Sequence, residues 1–311
     1  MQNAVTVKNL TKRYEDFTLN DVSFQIPTGS VVGFVGENGA GKSTTILALL
    51  GIIPVDAGEM ELLGHRIRKK RNASGRDDVS ADESWREQIG VVFDECNFST
   101  ELKLKFISGI MKNIYRTWDE NKFLDYLQRF ELPLNKKVKE LSKGMKMKLS
   151  IAVALSHDSR LLILDEATSG LDPIIRSEIL DIFRGFIEDG EHTVFLSSHI
   201  TSDIEKIADY VILIHKGRLL FMESKDELLY RYGIVRCARE QAELIPREII
   251  VGREVNGFGV SVLIKDKDAL MAGGFMDKAR GVSESPFALD RVSIEDVLLY
   301  FVKAADETQG K

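Results

Sequence analysis

Apolar and polar positions alternate from the start of the chain. Val5 and Val7 are separated by a polar residue, and Val22, Phe24 and Ile26 repeat the pattern, so two half-buried strands are expected. Pro27-Thr28-Gly29 marks a turn. Val31–Val35 is a continuous apolar run, the pattern of a strand buried on both faces. A glycine-rich loop follows, then a helical stretch from about Lys42 to Leu50. Between Thr100 and Phe130 the period lengthens. Leu102, Phe106, Ile110 and Ile114 recur every four residues, which predicts a buried helical face. Asp119 is placed to cap a second helix carrying Phe123, Leu124, Leu127 and Phe130 on one side. A further helix is expected after Ser142, with Leu149, Ala152 and Val153 inward.

Leu161–Leu164, Val194–Leu196 and Val211–Ile214 read as short buried strands, and Ile174–Ile187 as a helix among them. Strands alternating with helices predict an α/β core. Near Arg231 the pattern changes. Asn256-Gly257 joins two β-rich runs, Glu248–Val255 and Phe258–Ile264, a strong hairpin signal. Ser293 and Asp296 form a capping-box pattern before a helix lined by Ile294, Val297, Leu298 and Phe301. A core over 1–230, with a helical subdomain at about 96–158, and a small α+β appendage over 231–311 are therefore expected. The chain shows no internal repeat.

Composition narrows the function classes. The 311 residues are 44% hydrophobic and 29% charged, ordinary for a globular protein, which excludes disordered and collagen-like chains. The net charge of −6 argues against nucleic acid as the main partner. Two distant cysteines, Cys96 and Cys237, make neither a disulfide framework nor a zinc site. No apolar run approaches the roughly 20 residues of a spanning helix, and the N-terminus has no signal-peptide core. A cytoplasmic protein is expected, carried to any membrane by another chain. Residues 66–84 are charge-dense, basic then acidic, and read as a surface insert. A solvated face is the plainer reading, and a nucleic-acid or anionic-lipid contact the other.

Three motifs carry chemistry. Gly36-Glu-Asn-Gly-Ala-Gly41-Lys42-Ser43 matches the phosphate-binding pattern GxxxxGK[ST], with a strand before it and a helix after it. Glycines such as Gly36, Gly39 and Gly41 let backbone N–H groups, including that of Asn38, turn inward as an anion nest, and the helix N-terminus adds its positive end. Lys42 can reach the β- and γ-phosphates, the Ser43 hydroxyl can ligate Mg²⁺, and Thr44 lies toward the α-phosphate. In Leu161-Leu-Ile-Leu-Asp165-Glu166 an apolar strand delivers two carboxylates. Asp165 can hold Mg²⁺ through water, and Glu166 can orient or deprotonate an attacking water. The third is Leu141-Ser142-Lys143-Gly144-Met145.

The order of phosphate loop, LS-x-G-x, LLILDEAT, SGLD and SSH resembles the ATP-binding subunits of ABC transporters over residues 3–225. The resemblance implies a P-loop ATPase core of mixed sheet plus helical subdomain, with ATP and Mg²⁺. It implies two copies, or one copy and a related chain, facing head to tail. Ser142 and Gly144 would then face the γ-phosphate held by the partner copy's phosphate loop, and Asp172, in Ser169-Gly-Leu-Asp172, would join the two sites. Tyr14 matches the aromatic residue that stacks on adenine, an ordinary strand tyrosine being the alternative. His199 matches the switch histidine. Two departures stand out. Lys143 replaces a glycine, as either a phosphate-facing cation or a solvated lysine. Asp94, in Ile89-Gly-Val-Val-Phe-Asp94-Glu95, stands where the family has a glutamine touching Mg²⁺ and the attacking water, with Glu95 as rival. The C-terminal Val292-Ser-Ile-Glu-Asp-Val-Leu-Leu, the phrase VVFDE and the signature LSKGM resemble bacitracin, lantibiotic-immunity and phenol-soluble-modulin exporters. A membrane exporter of a peptide or drug-like amphipathic substrate, with membrane-spanning permease partners, is the expected setting.

Other classes fit less well. DNA-maintenance relatives separate the phosphate loop from the signature with a long coiled coil, and translation-associated ones carry two ATPase domains. A non-hydrolysing regulator would not need Asp165, Glu166 and His199 together.

Overall fold

The computed structural model describes residues 2–67, 84–257, 259–283 and 285–309. The charged insert expected at 66–84 lies outside the described residues over 68–83. The chain divides into two compact units. One holds Met1–Ala208 with Ile214–Leu219; the other holds Asp209–Leu213 with Leu220–Lys311, and so begins upstream of the boundary expected at residue 231.

The first unit begins with β1 (Asn3–Arg13), β2 (Thr18–Pro27) and β3 (Val31–Val35), then α1 (Lys42–Leu49), β4 (Ala57–Leu62), β5 (His65–Ile67) and β6 (Ile89–Val92). The helical part follows: α2 (Ile107–Met111), α3 (Glu120–Arg129) and α4 (Lys143–Leu155). Then come β7 (Leu161–Asp165), α5 (Pro173–Phe186), β8 (Thr193–Ser198) and α6 (Thr201–Ile207). An antiparallel sheet runs β2-β1-β4-β5, and a parallel ladder runs β3-β8-β7-β6. The parallel strands are buried on both faces, which is why they read as unbroken apolar runs. Phe24 of the antiparallel sheet packs against Phe34 and Phe195 of the parallel one, with ring centroids 6.0 and 5.9 Å away, and those two rings stack at 5.3 Å. Burying one such ring contributes about 1.5–3 kcal/mol.

The helical part corrects two expectations. The stripe at Leu102, Phe106, Ile110 and Ile114 is not a buried face. Phe106, Ile110 and Ile114 are 55%, 40% and 57% exposed, and the buried side chains are Leu104, Ile107 and Met111. The cause is long-range pairing. Leu104 N–H donates to Lys136 O, Lys105 N–H to Leu134 O and Val138 N–H to Leu102 O. Lys103 is thus extended and bridged to Lys137, a single 3-10 turn covers Leu104–Phe106, and the α-helix starts only at Ile107. In α3, Asp119 caps by accepting from the Lys122 N–H, and Phe123, Leu127 and Phe130 are buried. Leu124 lies outside that stripe and is exposed.

The second unit takes residues from β9 (Tyr210–His215) and β10 (Arg218–Ser224) and then runs α7 (Lys225–Arg231), β11 (Gly233–Cys237), α8 (Arg239–Ala242), β12 (Ile250–Asn256), β13 (Gly259–Ile264), α9 (Lys267–Ala272), α10 (Phe275–Val282), β14 (Ala288–Asp290) and α11 (Ile294–Gln309). From β11 onward this is a βαββαβ split with strand order β14-β11-β13-β12 and every pair antiparallel. Val235, Val262 and Ile264 pack with Leu270, Phe275 and Ala279 in one core. Gly252 lets α11 approach β12, since a side-chain carbon there would lie 3.3 Å from Tyr300. The Asn256-Gly257 hairpin pairs Asn256 with Gly259, and Ser293 with Asp296 caps α11.

Gly217 links fold to phosphate loop. Its N–H donates to Ala40 O, its O accepts from the Asn20 N–H, its φ is +75°, and an added Cβ would clash with the Thr18 carbonyl oxygen. Gly217→Ala is expected to destabilise the chain by about 2 kcal/mol or more, read by denaturant unfolding. An unchanged midpoint would contradict this reading of the turn.

His157 is buried after α4, its ring stacked on Tyr115 at 4.0 Å, with Nδ1 at 2.8 Å from Glu87 O. Burial pushes its pKa below the ordinary imidazole value. The unfolded chain then binds the proton more readily, so stability is full at neutral pH and falls as pH drops below about 6.5. The thermal midpoint should fall between pH 7.5 and pH 5.5, with a shallower fall in His157→Gln. An equal slope in both proteins would remove His157 as the cause.

Candidate functional site

The phosphate loop is built from the strand β3 and the helix α1. Gly41 stands at the N-cap with φ +113°, a region closed to most side chains, and the first turn of α1 carries no acidic residue. The N–H groups at this end are therefore open to an anion. Lys42 is buried. Its Nζ donates to Gly36 O at 2.7 Å and to Glu37 O at 3.2 Å. Behind it Thr45 Oγ1 donates to Gly41 O at 2.8 Å and fixes the turn.

Asp165 ends β7 and Glu166 follows it in a left-handed backbone conformation, so the two carboxylates diverge. Asp165 is buried, and its Oδ1 accepts from Ser197 Oγ at 2.5 Å, directly across the β7–β8 ladder. Glu166 turns the other way. Its backbone is left-handed, φ +54°, a conformation that costs a residue with a side chain about 1–3 kcal/mol. Its Oε1 lies 3.4 Å from Lys42 Nζ and its Oε2 at 2.6 Å from His199 Nδ1. Oε1 is buried and makes no hydrogen bond. An acid, an ammonium and an imidazole thus meet at one point from three distant parts of the chain.

These groups border a cavity of about 630 Å³. Tyr14, Asn38, Gly39, Gly41, Lys42, Ser43, Thr44, Asp94 and Glu166 line it, together with Asp16, Phe17 and Glu37. Gly36 contributes its carbonyl to Lys42, and His199 reaches the cavity through Glu166. Asp94, and not Glu95, borders it. Tyr14 is 47% exposed in the loop between β1 and β2, closed by its N–H donating to Phe17 O at 2.7 Å, with Lys12 Nζ 5.3 Å from its ring centroid. It is a loop residue, not a strand tyrosine. Sequence reasoning missed Asp16, Phe17, Glu37 and Thr45. Phe17, three residues after Tyr14 in the same β1–β2 connection, carried the one usable signal.

Ser142, Gly144 and Asp172 do not border this cavity. Ser142 caps α4, its Oγ accepting from the Met145 N–H at 3.2 Å. Asp172 caps α5, its Oδ1 accepting from Ile174 and Ile175 N–H at 3.1 and 3.0 Å. Gly144 packs by Ile175 and Leu171, and Lys143 Nζ lies 2.7 Å from where a Gly170 Cβ would be. The signature segment and the Ser169–Asp172 loop therefore form a second cluster in the same unit, separate from the loop that holds Lys42.

The donor chemistry fits a phosphate ester with Mg²⁺. The cavity offers a buried ammonium, open backbone N–H groups and hard oxygens on Ser43 and Asp94, while Asp165 is bonded to Ser197 and does not line it. No group of three or more metal-binding side chains occurs among the described residues.

The comparisons agree with this geometry. The family model described as ABC transporter matches residues 19–169. A bacitracin transport ATP-binding protein of Bacillus licheniformis is 34% identical over 71% of this chain and 69% of its own. A lantibiotic transport ATP-binding protein of Streptococcus pyogenes is 34% identical over 71% of this chain and 90% of its own. A solved ATP-binding subunit of an ABC transporter superposes with a TM-score of 0.62 at 27% identity, covering 72% of this chain and 91% of that one. A phosphate loop facing a strand-end glutamate, on a fold shared with these proteins, makes the chain a member of the ABC transporter ATP-binding family and an ATPase.

Proposed function

We propose that this chain powers the export of a peptide or drug-like amphipathic molecule across a membrane, working as one of two ATPase subunits on membrane-spanning permease chains. The observation that carries the ATPase step is Glu166, held between Lys42 and His199 in the lining of the cavity. Among the described residues no helix is long and apolar enough to cross a membrane, and the transport ATP-binding proteins that this chain resembles support a permease partner. The relatives' names supply the substrate class.

ATP lies with its base on Tyr14 and its phosphates in the Gly36–Thr44 loop. Lys42 exchanges the Gly36 and Glu37 carbonyls for β- and γ-phosphate oxygens. Ser43, Asp94 and Asp165 would hold Mg²⁺, which when bound neutralises phosphate charge. A water attacks the γ-phosphorus, Glu166 takes its proton, and the bond to the β–γ bridging oxygen breaks to leave ADP and phosphate. His199 holds the Glu166 carboxylate in place and registers the loss of the γ-phosphate. The separate cluster of Ser142, Gly144 and Asp172 supports a head-to-tail pair, because one copy's cavity lacks these groups and a second copy can bring them. The sandwich opens when the shared phosphate is gone. The movement passes to the permease through Asp94–Leu104 and the adjoining exposed Phe106, Ile110 and Ile114.

Glu166→Gln is expected to keep ATP binding and lose turnover about a hundredfold or more. Isolated from its native membranes in detergent with ATP·Mg²⁺, the variant should form a trapped dimer and bring a multi-helix membrane chain with it. Near-normal turnover would refute the role of Glu166. A soluble dimer with no membrane chain would refute the exporter reading.

Asp94→Ala is expected to weaken permease-coupled hydrolysis more than nucleotide binding, measured as turnover in reconstituted vesicles against fluorescent-nucleotide titration. Equal losses in both would count against a coupling role for this carboxylate.

A further inference from the structure

Asp203 on α6 is 3% exposed, and the site described above makes no use of it. An aspartate is seldom buried to this degree without a partner. Among the described residues its ion pair is with Arg176 on α5, Nε to Oδ2 at 4.0 Å, a purely electrostatic contact in which neither atom makes a hydrogen bond. Arg176 in turn donates from Nη2 to the Leu171 carbonyl at 3.1 Å. Leu171 lies in the Ser169–Asp172 loop, and α6 begins two residues after His199. The contacts thus run His199 helix, Asp203, Arg176, Leu171. The same loop is held at its other positions by the Asp172 cap on α5 and by Lys143 beside Gly170. The cap already secures the start of α5, so the Arg176 bond to Leu171 is an added restraint on the loop itself. Lys206 also joins α6 to α5, through Ser177 at 2.7 Å and Asp181 at 3.7 Å, but it lies on the exposed side and touches no loop residue.

We propose that Asp203 is a positioning residue that, through Arg176, fixes the Ser169–Asp172 loop relative to His199. A change at the γ-phosphate felt by His199 is then delivered to the loop beside the signature segment. The inference rests on the reading of Glu166 and His199 given above. A small misplacement of such a loop is enough to cost turnover without touching the bound nucleotide.

The test uses the full chain with Asp203→Asn, Arg176→Lys and the control Lys206→Ala. Asp203→Asn keeps the shape and removes the charge. Arg176→Lys keeps a charge but cannot hold Asp203 and the Leu171 carbonyl together. Each is expected to lower kcat about tenfold, with KM and the affinity of the single chain for a fluorescent ATP analogue within about twofold. The double variant should be no worse than the more affected single one. Lys206→Ala should turn over as wild type. Arg176→Lys, on the less buried partner, serves if Asp203→Asn fails to fold, and thermal midpoints identify that case. Unchanged kcat in the variants that fold overturns the proposal. So do multiplying losses in the double variant, or an equal loss in Lys206→Ala, which would mark simple helix docking. Glu166→Gln is run beside them. If it hydrolyses normally, the site reading itself has failed; if it is inactive while Asp203→Asn and Arg176→Lys turn over as wild type, only the positioning role has.

Discussion

A buried ammonium must be met by negative or dipolar partners, and much of this molecule is arranged around that need. Lys42 is held by two carbonyls of its own loop and approached by Glu166. Those groups satisfy the charge one at a time, and none holds it fully. A triphosphate does so better, because it brings several oxygens to the same place. The turn that presents Lys42 is therefore built around glycines, between a strand buried along its whole length and a helix whose first N–H groups remain open. Gly217 and Thr45, which never meet the ligand, maintain that turn from either side.

The carboxylates follow from the same arrangement. Asp165, the last residue of β7, points toward Ser197, and the left-handed turn after it sends Glu166 toward Lys42 and His199, so adjacent residues acquire different chemistry. Splitting the recognition groups into two clusters has a further consequence. In the proposed head-to-tail pair, a single copy would bind ATP with an incomplete site, and hydrolysis would be a property of an encounter.

Much of this was legible in the sequence, for local reasons. The apolar run before the phosphate loop, the caps at Asp119 and Ser293, and the Asn256-Gly257 hairpin all depend on neighbours within a few residues. The loop lysine and the strand-end acids were legible because their spacing is dictated by the chemistry. What failed depended on distant pairing. The four-residue stripe from Leu102 was misread because residues 102–105 bond to 134–138, and no periodicity reports a partner thirty residues away. Asp16 and Glu37 enter the cavity from loops whose positions are set by the packed sheets. The tie from Asp203 to Leu171 is invisible for the same reason, since neither burial nor a carbonyl partner can be read from a helical pattern. The second unit was recognisable as α+β, but its split βαββαβ order could be known only from which strands pair.

The left-handed backbone at Glu166 bears on how this sequence can evolve. Few residues other than glycine, asparagine and aspartate settle at a φ of +54° without strain, and β-branched ones are excluded. The routes by which a descendant gene could lose catalysis yet keep its fold are correspondingly narrow. Substitutions to valine, isoleucine or threonine would damage the backbone along with the chemistry. A lineage of non-hydrolysing copies derived from this chain should therefore carry small polar residues or glycine at position 166, a bias imposed by geometry before selection on function begins.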